Sequence, residues 1–274
     1  MIPISASSSL LGLKIADATK DTQIETIKNT AQHGRAIETF LERIGDVETV
    51  DQLVDDYELY TFVMKAFDLE DQIFGKAMIK SILKSDIEDD ESLINKLTDS
   101  RFKDLYEVMG FGNGGTTNIN TLLPTWQNEM VERYTNTIFV NNQADQNETV
   151  ATALEFRAKA ADVQNPFDIL KDKEMASFMR TALGFPAAMA QVDIDRQAKF
   201  IEEAYDLSKL QDPEEVEKLI KRFTIISDAK DGSNVANNPI VQMMSGATSI
   251  GSGRFVPITL NISTIDFASL KAYR

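Results

Sequence analysis

His33 is the single histidine of this 274-residue chain, and there is no cysteine. Those two counts remove thiol nucleophiles, Cys–His dyads, disulfides and cysteine-based metal sites, and they leave no multi-histidine metal centre within one chain. His33 lies in Gln32-His33-Gly34-Arg35 and is expected on a helix surface, not as a general base. Carboxylates are the chemistry that remains. Pairs such as Asp55-Asp56, Asp89-Asp90 and Glu202-Glu203 abound, as they must in a chain with 43 acids. A hydrolytic acid pair needs a defined separation across a cleft, which adjacency does not supply. The run Asp86-Ile87-Glu88-Asp89-Asp90-Glu91 invites a calcium-loop reading, but such loops need Gly at the sixth position and a bidentate acid at the twelfth. Counted from Asp86, those places hold Glu91 and Leu97, so the run is expected to cap the helix that follows and to oppose its dipole.

Gly110-x-Gly112-x-x-Gly115 spells the dinucleotide fingerprint. A helical pattern precedes it, however, and Thr116-Thr117-Asn118 follows with no helix start. The fingerprint works only between a strand and a helix, so these glycines read as a flexible loop. The sequence contains no Gly-x-Ser-x-Gly, Walker A or His-Glu-x-x-His motif. The chain is read as non-enzymatic, with no cofactor and no metal.

Charge narrows the partners. With 28 Lys and Arg against 43 Asp and Glu, the net charge is −15, which disfavours nucleic acid and anionic membrane surfaces. The acidity is uneven: residues 46–107 hold 17 acids and 7 bases, whereas residues 229–274 hold 2 acids and 4 bases. No apolar run reaches the roughly 20 residues that span a bilayer, so no membrane insertion is expected. The segment Met1-Ile2-Pro3-Ile4-Ser5-Ala6-Ser7-Ser8-Ser9-Leu10 has neither a basic start nor a long apolar stretch, and no cleaved signal peptide is expected.

The elements that carry these residues read as helices. Ile24, Ile27, Ala31, Ile37, Phe40, Leu41 and Ile44 recur at three- and four-residue spacing and predict one helix over 10–45. Shorter helices are predicted at 49–55, around 57–67 and over 71–84. Pro124 opens a helix carrying Trp126, Met130, Tyr134 and Ile138, and another covers about 146–161. Two or three more fill 167–226, the last starting at Asp212-Pro213 with Val216, Leu219, Ile220 and Phe223 inward. Phe62, Met64, Phe178 and Met179 are read as core.

Two features go beyond a bundle of helices. The first is an internal repeat. Phe40, Asp46, Val47, Asp56, Glu58, Phe62 and Ala66 recur as Phe156, Asp162, Val163, Asp172, Glu174, Phe178 and Ala182 at a constant offset of 116. Lys96-Leu97 resembles Lys218-Leu219 at an offset of 122, which implies an insertion of about six residues in the second copy near 184–192. The second is a Gly/Ser/Asn-rich arm. It carries an apolar island at Ile240, Val241, Met243 and Met244, then Val256, Ile258, Leu260 and Ile262 in strand-like alternation. A short helix over 264–273 is expected to follow. These eight apolar residues form a candidate partner-docking arm: they can pair with the body, or add a strand or helix to another subunit.

The expected organisation is an all-α, multihelical, internally duplicated fold with an extended C-terminal arm containing a possible short strand. Its parts are an N-terminal helical segment (1–39), helical repeat 1 (40–112), connecting helices (113–155), helical repeat 2 (156–227) and the arm (228–274).

Residues 40–112 resemble a bacterial protein family of unknown function found in flagellar gene clusters. The blocks that carry the resemblance are Phe40-Leu41-Glu42-Arg43-Ile44, Val50-Asp51-Gln52-Leu53-Val54-Asp55-Asp56 and Lys65-Ala66-Phe67-Asp68-Leu69-Glu70-Asp71. Leu93-Ile94-Asn95-Lys96-Leu97-Thr98-Asp99-Ser100-Arg101-Phe102 and Gly110-Phe111-Gly112 complete the series. The resemblance implies a multihelical fold and a non-enzymatic flagellar role, structural or in assembly. The implied partners are other flagellar proteins, with self-assembly through the arm. The implied place is the flagellum itself, reached by export without a cleaved signal. The alternative is a cytoplasmic adaptor or export chaperone for flagellar axial proteins. Lack of cysteine and a polar N-terminus are general features of exported axial proteins.

Overall fold

The computed structural model describes residues 8–112 and 114–230, and every regular element within them is helical. One isolated antiparallel bridge, Gly112 to Thr117, is the exception. The fold is all-α and multihelical.

The predicted helix over 10–45 is two helices, α1 (Ser9–Asn29) and α2 (Ala31–Arg43), followed by a 3-10 turn at Ile44–Asp46. Thr30 makes the break. Its backbone is extended, with ψ 146°, and its hydroxyl donates to the Ile27 carbonyl at 2.8 Å while accepting from the His33 N–H at 3.4 Å. One side chain thus closes α1 and caps α2. Gly34 lets the two segments approach, because a Cβ there would lie 2.9 Å from the Lys28 carbonyl oxygen. Apolar periodicity runs through such a kink unchanged, so the break leaves no mark in the pattern.

α3 (Val50–Asp55) begins with a Thr49/Gln52 capping box, and Asp56 caps α4 (Tyr57–Ala66). The segment read as one helix over 71–84 is a 3-10 turn at Glu70–Gln72 followed by α5 (Lys76–Leu83). The acidic run at 86–91 does not cap the next helix. Asp86 accepts from the Glu88 N–H at 3.0 Å and Asp89 from the Glu91 N–H at 2.9 Å, so each acid closes its own turn. α6 (Leu93–Lys96) and α7 (Ser100–Met109) follow, and Gly110, with φ 63°, ends α7 in the left-handed conformation.

α8 (Pro124–Ala144) crosses the molecule and leads into α9 (Glu148–Lys159). A 3-10 turn at Ala160–Asp162, α10 (Pro166–Leu170) and α11 (Lys173–Ala182) come next, then α12 (Ile194–Ala204) and α13 (Pro213–Lys230).

The repeat is visible element by element. The 3-10 turn after α9 lies 116 residues beyond the one after α2, and α11 begins and ends 116 residues beyond α4. The Thr49/Gln52 capping box recurs as Asn165/Asp168, and the Asp56 cap recurs as Asp172. Phe40 stacks on Phe62 with ring centroids 4.2 Å apart, and Phe156 stacks on Phe178 at 3.7 Å. Each stack is extended by a ring from the closing helix of its unit. Tyr134 of α8 lies 4.2 Å from Phe62, and Phe223 of α13 lies 4.3 Å from Phe178.

That last pair corrects the expected insertion. α13 is the counterpart of α8, both starting at a proline, with an offset of 89. The second unit is therefore shorter than the first by 27 residues. Lys96-Leu97 ends the four-residue α6, whereas Lys218-Leu219 lies inside α13, so their likeness is accidental. α8 also opens the second unit as α1 opens the first: each is 21 residues long and runs into a side-chain cap, Thr30 or Asn147. One helix serves both units.

Two apolar clusters result. The first gathers Phe40, Phe62, Leu105, Trp126 and Tyr134 with their neighbours. The second gathers Phe156, Phe178, Ile220 and Phe223, and it recruits Leu13, Ala16 and Ile27 from α1. Arg157 ties α1 to α13 across this cluster, bonding Asp17 at 2.7 Å and Glu217 at 2.6 Å.

Phe62→Ala and Phe178→Ala should each lower the unfolding free energy by about 3–5 kcal/mol in urea titrations. The two losses should add to within about 0.5 kcal/mol, because the rings occupy separate clusters.

Candidate functional site

Two of the acids singled out by the repeat, Asp56 and Asp172, cap helices. Asp56 accepts from the N–H groups of Glu58 and Leu59 at 3.1 and 3.2 Å, and Asp172 accepts from those of Glu174 and Met175 at 2.9 and 3.1 Å. A base from the helix before completes each: Arg43 bonds Asp56 and reaches Glu58 at 2.6 Å, and Lys159 bonds Asp172 at 2.6 Å. Arg43 and Lys159 are themselves 116 residues apart, so the cap and its counter-ion repeat as one clasp. For Asp172, burial alone would raise the pKa; Lys159 and the helix N–H groups outweigh it and hold the carboxyl below its usual range.

The glycine motif is held against the first unit. Gly112 donates to Thr117, and Gly115 accepts from the Val50 N–H at 2.9 Å. Gly115 has φ 84°, and a Cβ there would come within 2.7 Å of both Val50 and Lys84. The expected flexible loop is thus packed onto the start of α3. Its glycines admit close approach of helix and loop. Asn113 lies outside the described residues.

His33 differs from its expected surface role. It is half-buried, and its Nδ1 lies 2.8 Å from the Tyr134 hydroxyl, the same tyrosine that stacks on Phe62. Burial, with Lys65 nearby, lowers the pKa of His33, and burial pushes Tyr134 up to about 12.

The most perturbed carboxyl is one that periodicity did not mark. Glu155, on α9, is pushed up to about 7, first by burial and then by the nearby charges of Asp68, Glu174 and Asp172, with Lys159 acting in the opposite direction. Asp68 brings the first unit to this seam. It is the one non-glycine residue with positive φ among the described residues, at 54°. Its carboxylate accepts from Asn141 at 3.1 Å, and its carbonyl accepts from Arg101. Arg101 in turn grips Asp99, at 2.8 Å, and faces Asp71. Aspartate is among the few residues that enter this region singly, and two side chains hold Asp68 there. The seam thus holds a carboxyl that burial and neighbouring acids make harder to ionise than an exposed one. Among the described residues, no three of His, Asp and Glu are grouped to hold a metal ion. An open groove of about 330 Å³ lies elsewhere, lined by Gln164, Asn165, Pro166, Glu202, Tyr205 and Asp206 among others.

The arm residues Ile240, Val241, Met243, Met244, Val256, Ile258, Leu260 and Ile262 lie outside the described residues. So does the short helix expected at 264–273. The body itself carries an apolar feature the pattern did not mark. Ile119, Leu122 and Leu123, in the turn before α8, are 74%, 62% and 47% exposed. Their concentration just ahead of Pro124 was the signal available in the sequence. No helix among the described residues is long and apolar enough to cross a membrane.

The two titrating groups act in opposite senses. Glu155 binds its proton more tightly in the folded chain than its ordinary 4.5 allows in the unfolded one. Its contribution is complete below about pH 4.5 and is lost as pH rises through 7. His33, lowered on folding, contributes fully above its ordinary 6.5, and that contribution is lost as pH falls through the folded value. Glu155→Gln should therefore abolish a fall in stability of about 2 kcal/mol between pH 5 and 8, leaving a profile that rises with pH. His33→Gln should leave the falling profile. Urea midpoints across that range measure both.

Comparison with known proteins gives the fold a family. A crystal structure of a protein from Agrobacterium tumefaciens, solved in a structural genomics programme, matches with a TM-score of 0.73 and 28% identity. The match covers 84% of this chain and 97% of that one. No curated protein matches the chain. Residues 66–216, from the end of α4 into the start of α13, match a family described as a protein of unknown function, DUF1217. That stretch is more than half of the chain and includes both the Asp68 turn and Glu155. The chain belongs to this DUF1217 family.

Proposed function

We propose that this protein is a non-enzymatic component of the bacterial flagellum that acts by packing against other flagellar proteins, in a structural or assembly role. The observation that carries the packing part is what the duplication preserves: ring stacks, helix caps and the bases that clasp them. Asp56 and Asp172, the repeated acids best placed for chemistry, are occupied by helix N–H groups and by Arg43 and Lys159. The flagellar part rests on the ordered blocks from Phe40-Leu41-Glu42-Arg43-Ile44 to Gly110-Phe111-Gly112, which resemble a family found in flagellar gene clusters. The flagellum is the proposed location and its proteins the proposed partners.

Mass spectrometry of sheared, purified flagella should recover the protein at a fixed ratio to the other subunits, and deletion of its gene should abolish or shorten swimming. Recovery only from the soluble cell fraction, with motility reduced, would replace the structural role by the adaptor or export-chaperone role. Unchanged swimming together with absence from the flagella would overturn both.

A further inference from the structure

The two units build the same turn before their closing helices, and they surface it differently. In the first unit, the Thr121 hydroxyl donates to the Val47 carbonyl at 2.9 Å, pinning the turn to the segment after the 3-10 helix. In the second, the Gln211 amide donates to the Ala161 carbonyl at 2.9 Å and does the same work. At the offset of 89 that relates α8 to α13, the exposed Ile119, Leu122 and Leu123 correspond to Ser208, Gln211 and Asp212, which are exposed and polar. The fold therefore does not need an apolar surface at this turn. Three large apolar side chains within five residues, each exposed by 47% or more, mark a surface that something covers.

The chain supplies a cover of the right chemistry and reach. The described residues end at Lys230, and 44 residues follow. Where they depart is fixed by a clasp: Asp228 accepts from the Ser9 N–H at 2.9 Å and from the Ser9 hydroxyl at 2.5 Å, and Asn147 donates to the same hydroxyl at 3.1 Å. Asn147 follows the C-terminal end of α8, and the apolar turn precedes its N-terminal end. A 21-residue helix is about 31 Å long, which sets the distance to be crossed. From Lys230 to Val256 the chain is rich in Gly, Ser and Asn, and a coil of that length and composition would have a root-mean-square span of about 28 Å. A linker whose span matches the gap gives a tethered segment its highest effective concentration, about millimolar. The segment beyond it carries Val256, Ile258, Leu260 and Ile262 on alternate positions, hence on one face if extended.

We propose that Ile119, Leu122 and Leu123 are the seat of this chain's own C-terminal segment, with the Val256, Ile258, Leu260 and Ile262 face laid across them. Charge does not oppose it: Arg254, Lys271 and Arg274 outnumber Asp231 and Asp266 in residues 231–274, while the chain as a whole carries −15. The proposal goes beyond the flagellar reading and stands or falls separately from it, since both seat and cover are in one chain.

The absence of native cysteine makes the test direct. In the full-length protein, Leu122→Cys is combined with one cysteine at a time at positions 256 to 262, and mild oxidation is followed on non-reducing gels. Monomeric, internally cross-linked chain should form several-fold faster at 256, 258, 260 and 262 than at 257, 259 and 261. A Ser208→Cys series, from the equivalent polar turn, should show no such alternation. Equal rates in the two series would overturn the proposal. So would cross-links found only between chains, at rates proportional to concentration, which would assign the seat to a second copy. As a second measurement, hydrogen exchange of amides 254–264 should be at least ten-fold slower in the wild-type chain than in a Leu122→Asp, Leu123→Asp double variant. Equal exchange in the two would reject the seat.

Discussion

A column of three rings, stacked throughout in the first unit and with a tilted third ring in the second, sets the arrangement of each unit. Phe40, Phe62 and Tyr134 form one column, and Phe156, Phe178 and Phe223 form the other. Each column takes one ring from each of three helices, so the stack sets the rotation of those helices as well as their separation. The remaining features follow from that constraint. With α2 and α4, or α9 and α11, fixed by their rings, the chain between them doubles back through a 3-10 turn and a short helix. Capping boxes and an aspartate cap satisfy the N–H groups exposed where it does so. Arg43 and Lys159 then neutralise the capping acids at the same place in each unit.

Much of this was legible in the sequence because identical side chains do identical work. The offset of 116 is carried in part by rings, caps and one small residue, Ala66 or Ala182, each of which has few substitutes at its position. The equivalence of the two closing helices is not legible for the opposite reason. Met130, Val131 and Tyr134 correspond to Leu219, Ile220 and Phe223, residues of similar volume and apolarity but different identity. Core packing tolerates such exchanges. The change of offset from 116 to 89 then breaks any single alignment that would reveal them.

The seam around Glu155 was illegible for a different physical reason. A charged residue on an amphipathic helix reads as solvated, whereas here burial first, and then the charges of Lys159, Asp68, Glu174 and Asp172, alter its proton affinity. That environment depends on tertiary packing, including the approach of Asp68 from the first unit, which no local spacing encodes. The break at Thr30 is similar: hydroxyl bonding makes the kink, while the apolar stripe continues on both sides of it.

α8 ends one unit and begins the next, donating Tyr134 to the first cluster and Phe139 to the second. A helix with a face in each of two cores cannot leave one without disturbing the other. Its loss would expose rings of both clusters at once. The two cores are thus tied through one helix, and coupled unfolding of both is the expected consequence of a duplication that left its units sharing an element.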